Sequence, residues 1–178
     1  MAFFEKLRGA GKSPPRVGGV EILSSFLGSL IGMALLGYLH AQVAAPLDRV
    51  LIIGSFAASA VLLFAAPKSP LAQPRNLVGG HLLSAIIGVS IRLALPEIPW
   101  LAGALAVATA IAVMHLTKTL HPPGGATAFI AVTGGPNIAA QGYFYVLSPA
   151  LAGALILLSV ALLTNGLTPG RRYPEYWW

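Results

Sequence analysis

The chain has 178 residues, 56% of them hydrophobic and only 9% charged, with a net charge of +6 and a mean hydropathy of +0.79. A soluble domain carries about 25% charged residues, so this composition cannot cover a folded surface with polar groups, and lipid must be the outer solvent. There are no cysteines, which excludes a disulfide framework and a thiolate metal site. The Lys and Arg residues sit at the two ends and in short connections, a distribution that argues against nucleic-acid binding and for topology signalling.

Residues 1–20 form a basic segment punctuated by Gly and Pro, "MAFFEKLRGAGKSPPR" and the residues after it. The apolar run 22–39 that follows has 18 residues, whereas a signal-peptide core has about 7–15. Despite the small residues "VAA" at 43–45, the run is therefore expected to stay as a membrane helix. About 17–25 apolar residues cross a bilayer, and helices are expected over 21–40, 50–66, about 77–95, 98–114 and near 146–163. Between the second and third, "PKSPLAQPRN" carries three prolines and two cations, which rule out a spanning helix there. After the fourth comes "TKTLHPPGGATA", polar and cationic amid apolar helices. The stretch 124–141 then has about a dozen helical residues before "GGP", read as a short fifth crossing or a re-entrant segment. The chain ends in "RRYPEYWW", a tail suited to the headgroup layer.

An internal repeat connects these segments. "SAVLLFAAPKSPLAQPRNLVGGHLLSAIIG" and "TAIAVMHLTKTLHPPGGATAFIAVTG" each read as helix, lysine (Lys68, Lys118), proline, Gly-Gly pair, helix. Transporters are commonly built from such repeats. Two repeats running the same way require the second and fourth helices to be parallel, and the third and fifth, which favours six crossings with both termini on one side. The cations agree: Lys6, Arg8, Lys12, Arg16, Lys68, Arg75, Lys118, Arg171 and Arg172 fall on that side, against Arg49 and Arg92 on the other. The fold class expected is all-α, a polytopic transmembrane bundle of about six segments, with four or five long helices plus broken pieces as the alternative. One membrane domain, 21–166, lies between the basic segment 1–20 and the tail 167–178.

The two Gly-Gly junctions are the candidate site. A helix start has unpaired N–H groups and partial positive charge, glycine admits close approach, and Pro122 and Pro123 hold the chain extended. Flanked by Arg75, Lys118 and His121, two such starts would form a donor-rich pocket for a small anion. The plainer reading is of tight turns marking topology, with glycines that let helices pack; it is preferred for Lys68. Among the histidines, His40 reads as interfacial and His81 as buried. His115 lies six residues before His121 with no carboxylate nearby, which argues against a metal site. His81 or His121 could relay a proton, or bind an anion only when charged. Arg92, near Glu97, is explained by snorkelling and Glu21 by the helix dipole. No carboxylate pair, GxSxG elbow or HExxH is present, so no enzyme activity, cofactor or metal is expected.

The residues "LHPPGGATA" together with "SPLAQPRNLVGGH" resemble the two signatures of the HPP family of integral membrane proteins, named for its His-Pro-Pro motif. The resemblance covers most of the chain. It implies four membrane-spanning helices, so that two of the six segments would be short or re-entrant. It also implies a small-anion transporter, since some members in cyanobacteria and plastids are associated with nitrite transport. Other members carry an appended CBS domain, which this chain lacks. Carried onto this sequence, the first signature falls on Pro70, Gln73, Pro74, Arg75, Asn76, Gly79, Gly80 and His81. The second falls on Lys118, His121, Pro122, Pro123, Gly124 and Gly125. The expected function is a permease or channel for a small monovalent anion, nitrite first, then nitrate or formate. The expected place is a bacterial inner membrane with both termini cytoplasmic. The expected partners are the anion and the lipid bilayer, without nucleic acid; a chain this small could line its pathway as a homo-oligomer. The alternative is a non-transporting scaffold or subunit of a larger membrane complex.

Overall fold

The computed structural model describes residues 3–7 and 11–178; the placement expected for Arg8 and for the Lys6 side chain lies outside them. After a single turn of helix, α1 (Phe3–Lys6), the first crossing is α2 (Gly19–Leu39). It runs on through a wide π turn, His40–Ala44, and a tight 3-10 turn, Ala45–Leu47, so that 29 helical residues follow one another. Asp48 then turns the chain in a left-handed conformation at φ 53.

The helix expected over 50–66 starts late. Residues 49–54 are not helical, and α3 (Ser55–Ala60) begins after Gly54, continuing as a π turn over Val61–Ala65. The β-branched Val50, Ile52 and Ile53 lose rotamer freedom in a helix, and here Leu51 and Ile53 are buried in the core from a non-helical stretch.

The connection holds a 3-10 turn, Pro70–Ala72, capped by Ser69 Oγ, which accepts from Leu71 N at 3.2 Å. Helix α4 (Pro74–Ala94) starts three residues earlier than expected. Pro74 is its first residue, where the missing N–H costs nothing and the fixed φ suits the helix. Arg75 and Asn76 thereby belong to the first turn. Next come α5 (Pro99–Leu116), α6 (Pro122–Thr133) and the short α7 (Pro136–Gln141). The segment "PPGG" therefore opens a helix. The last crossing has a break at Ser148 (φ −139, ψ 121) just before Pro149, and α8 (Ala152–Leu167) follows.

Among the described residues, four stretches are long and apolar enough to cross a membrane: Gly19–Leu47, Pro74–Ala94, Pro99–Leu116 and Val146–Leu167. α3 with its π turn, Ser55–Ala65, is a shorter apolar helix, and α6 has 12 residues.

The termini meet at one end of it. Arg171, beyond α8, is paired with Glu21 at the start of α2 at 2.7 Å. Arg75 at the start of α4 donates to Thr117 O at the end of α5 at 2.7 Å. Lys68 lines a cavity of about 300 Å³ with Glu21 and Arg171. At the other end Arg49 lies 3.9 Å over the Phe144 ring, and Arg92 donates to Ala131 O at 3.1 Å, a fixed partner where snorkelling was expected. The tail folds back onto the Pro70–Ala72 turn: Tyr173 Oη donates to Ala72 O at 2.8 Å and Tyr176 Oη to Pro70 O at 3.1 Å. Burial pushes the Tyr173 phenol above its ordinary pKa, which keeps it a donor.

α4 and α6 approach most closely, and glycine is the reason. Gly80, Ser84 and Gly88 repeat every fourth residue on one face of α4. A Cβ on Gly124 would lie 2.9 Å from Gly80 O and from Ser84 Oγ, and one on Gly88 would lie 2.5 Å from Ala128 O. The two Gly-Gly junctions of the repeat therefore touch.

Candidate functional site

Next to that contact, side chains from three helices meet in the interior. Ser59 on α3 places its Oγ 2.8 Å from His81 Nε2 on α4 and 2.9 Å from His121 Nε2, the residue capping α6. The imidazole centroids are 5.0 Å apart. The other ring nitrogens are also engaged: His81 Nδ1 with Thr127 Oγ1 at 2.7 Å, His121 Nδ1 with Leu71 O at 2.8 Å. Thr127 Oγ1 donates to Ser55 Oγ at 2.8 Å, and Tyr145 Oη to Thr127 O at 2.9 Å. Ser59, His81, His121 and Thr127 are all 0% exposed. A continuous hydrogen-bonded line thus runs from Leu71 through both histidines to Ser55, one turn of α3 beyond Ser59. Phe56, whose ring lies 5.2 Å from His81, packs beside it.

Local sequence explains the convergence. Ser55 and Ser59 are four apart and share a face of α3. Thr127 lies five residues into α6, on the side that Gly124 brings against α4. Gly80 leaves room for His121: a Cβ there would sit 2.5 Å from His121 Cβ.

A family model described as HPP, transmembrane region, matches residues 14–174. The chain belongs to the HPP transmembrane family. Two transmembrane proteins of Dictyostelium discoideum are similar to it. One is 48% identical over 181 residues, spanning 100% of this chain and 58% of that protein. The other is 46% identical over 183 residues, spanning 100% and 64%. This HPP chain therefore spans about three-fifths of the length of the curated relatives it matches. No solved structure matches it.

Apart from Pro70 and Pro74, which open the 3-10 turn and α4, the HPP signature residues divide into four groups. His81 and His121 form the buried centre. Gly79, Gly80, Gly124 and Pro123 build its frame: a Cβ on Gly79 would strike the Thr119 side chain at 2.6 Å, and Pro123 O takes a second, 3.3 Å bond from Thr127. Gly125 is looser, with an added Cβ 3.8 Å from Val107, and Pro122 is exposed.

The remaining four face elsewhere. Gln73 is buried and satisfied, its Nε2 on Pro67 O and Ser69 O at 2.9 and 2.8 Å, its Oε1 on Glu175 N at 2.9 Å. Asn76 Nδ2 donates to Leu120 O at 2.9 Å, while its Oδ1 is buried and meets no donor among the described residues. Arg75 caps the α5 C-terminus through Thr117 O. Lys118 is exposed, with φ 56; Lys118 N bonds His115 O and Thr119 N bonds Met114 O, the paired bonds of a Schellman cap. The donor-rich pocket expected from amides and cations is not what this arrangement offers. Pro122 and Pro123 have no N–H, and Gly124 N already donates to His121 O at 2.7 Å.

Ser55, Ser59, Thr127 and Tyr145 were not among the expected site residues. Two serines at i, i+4 in the apolar run "GSFAASAVLL" are the one signal that could have found them.

Proposed function

We propose that this HPP chain is a permease for a small monovalent anion, nitrite first, which passes the His81–Ser59–His121 centre. The supporting observation is that centre itself: two histidines and three hydroxyl residues, fully or almost fully buried, joined in one line inside an apolar bundle. Ionisable side chains inside a membrane protein are costly and mark substrate or ion paths. The family resemblance points to nitrite, with nitrate and formate next. Such an anion only accepts hydrogen bonds, and the centre offers it the Ser59 hydroxyl and, once charged, imidazole N–H groups.

A cavity of about 570 Å³ at the basic end supports an approach route. It is lined by Arg75, Thr117 and Thr119 and otherwise by mostly apolar groups, among them Val78, Leu82 and Trp177. Gly79 and Thr119, which line it, also flank the Gly80–His121 contact. Arg75 would raise the local anion concentration there. Broken segments near the centre, residues 49–54 and the Ser148 break, are the elements suited to opening it, as discontinuous helices are in transporters. By the positive-inside bias the basic end with both termini is cytoplasmic. The bacterial inner membrane draws no support from relatives that belong to an amoeba.

The test is nitrite uptake into liposomes holding only the purified chain. Uptake well above that of protein-free liposomes is expected, with less for nitrate and formate. Absence of flux for all three would contradict the reading and favour a scaffold or subunit role.

A further inference from the structure

The hydrogens along the buried line can be assigned from their partners. Leu71 O only accepts, so His121 Nδ1 carries a hydrogen. With Thr127 giving its hydrogen to Ser55 Oγ at 2.8 Å, and more weakly to Pro123 O at 3.3 Å, the bond between His81 Nδ1 and Thr127 Oγ1 is donated by the ring. Neutral rings protonated at Nδ1 have bare Nε2 atoms, and both Nε2 atoms face Ser59 Oγ, at 2.8 and 2.9 Å. Ser59 Oγ also lies 3.2 Å from the backbone oxygen of Ser55, and one hydroxyl hydrogen cannot serve all three acceptors. A single added proton resolves the conflict, because a charged ring donates Nε2–H to Ser59 Oγ while Ser59 donates Oγ–H to the other Nε2.

We propose that His81, Ser59 and His121 are a proton-carrying triad that holds one exchangeable proton, and that the chain moves one anion together with one proton. The coupling to an anion rests on the permease reading above; the proton site does not. In the transfer the His81 Nε2–H bond breaks as a new Oγ–H bond forms on Ser59. The former Ser59 Oγ–H bond breaks as Nε2–H forms on His121. Serine ends neutral, the charge has changed rings, and no further reactant is consumed.

Electrostatics supplies the coupling. α3, α6 and α8 carry no charged residue in their helical spans. On α4, Arg75 is bound to Thr117 O and Arg92 to Ala131 O, each at an end of the helix. His115 on α5 and Lys68 in the connection are exposed, and Glu21 on α2 is paired with Arg171. Tyr145, the other titratable group here, donates to Thr127 O. No carboxylate among the described residues bonds the triad, so its added charge has no resident partner. A buried charge is costly unless paired. The anion supplies the pair, and each of the two ions offsets the cost of bringing in the other.

Two measurements on the full chain test this. In ¹⁵N-histidine NMR of the detergent-solubilised protein, the His81 and His121 rings should take up one proton between them, at higher pH when nitrite is present. Ser59→Ala should abolish the sharing and Ser59→Thr, which retains a hydroxyl, should keep it. In liposomes with a trapped pH dye, nitrite uptake should acidify the lumen beyond the protein-free control, at a rate indifferent to a valinomycin-set potential. Ser59→Ala should slow both fluxes roughly a hundredfold, the scale of a lost proton-transfer group, and Ser59→Thr should restore them. Nitrite uptake without proton uptake would overturn the coupling and leave the permease standing. Absence of nitrite uptake would fail the permease, and the NMR titration then decides the triad alone: one shared proton supports it, none or two independent ones refute it.

Discussion

Gly80→Val is expected to yield little folded protein in a detergent extract, whereas Gly125→Ala yields normal amounts with an unchanged melting temperature. A Cβ at position 80 would fall 2.5 Å from His121 Cβ, 3.1 Å from Thr119 O and 3.4 Å from Met114 Sδ. None of these can step aside: His121 is held at both ring nitrogens, and the Thr119 oxygen is backbone. Overpacking costs about 1–3 kcal/mol and occasionally more. With the two further methyls of valine, a loss at or above the upper end is expected, a large share of the about 5–15 kcal/mol that holds a typical protein together. At position 125 the added carbon meets Val107 at 3.8 Å, an ordinary contact. Size-exclusion yield and thermal melting of both variants check the contrast. Equal yields would mean that the α4–α6 contact is looser than described.

Arg171→Ala is expected to lower stability by about 3 kcal/mol, the lower end of the range for breaking a buried ion pair. The Arg171 side chain is 3% exposed. It donates to Glu21 Oε1 and Oε2 at 2.7 and 3.0 Å, to Asn165 Oδ1 at 2.6 Å and to Ser25 Oγ at 3.0 Å. One guanidinium thus joins the start of α2 to the end of α8. Glu21 is 32% exposed, and water reaching it holds the loss below that of a fully buried pair. The double variant Arg171→Ala, Glu21→Ala should lose less than the sum of the two single losses, because no orphan carboxylate remains. Additive losses in thermal or denaturant unfolding would show that the pair is not coupled.

How far the sequence was legible depends on whether the deciding contact was local. α5 lies between Pro99 and Thr117 much as hydropathy expects, and the burial of His81 follows from its place after the Gly pair. The non-helical lead 49–54 was hidden because a run of branched apolar residues satisfies a hydropathy window in either conformation. Pro74 was read as a breaker where it serves as the first residue of α4. Glu21 was assigned to the dipole of its own helix because its partner lies 150 residues away. Ser59 is the clearest case: one serine in an apolar run acquires its role only when residues 22 and 62 positions distant arrive at its hydroxyl. Lys118 and Arg75 had the right charge, but the helix ends they terminate or cap turn them to the basic face.

That difference sets the decisive measurement: nitrite uptake by Ser59→Ala and Lys118→Gly, each in liposomes at matched protein content. Lys118 occupies a left-handed position that glycine adopts freely, so its replacement leaves the fold intact. If the buried line from Leu71 to Ser55 is the path, Ser59→Ala loses nearly all uptake while Lys118→Gly keeps most of it. Full uptake by Ser59→Ala, with loss in Lys118→Gly, would place the path at the basic surface and contradict the account.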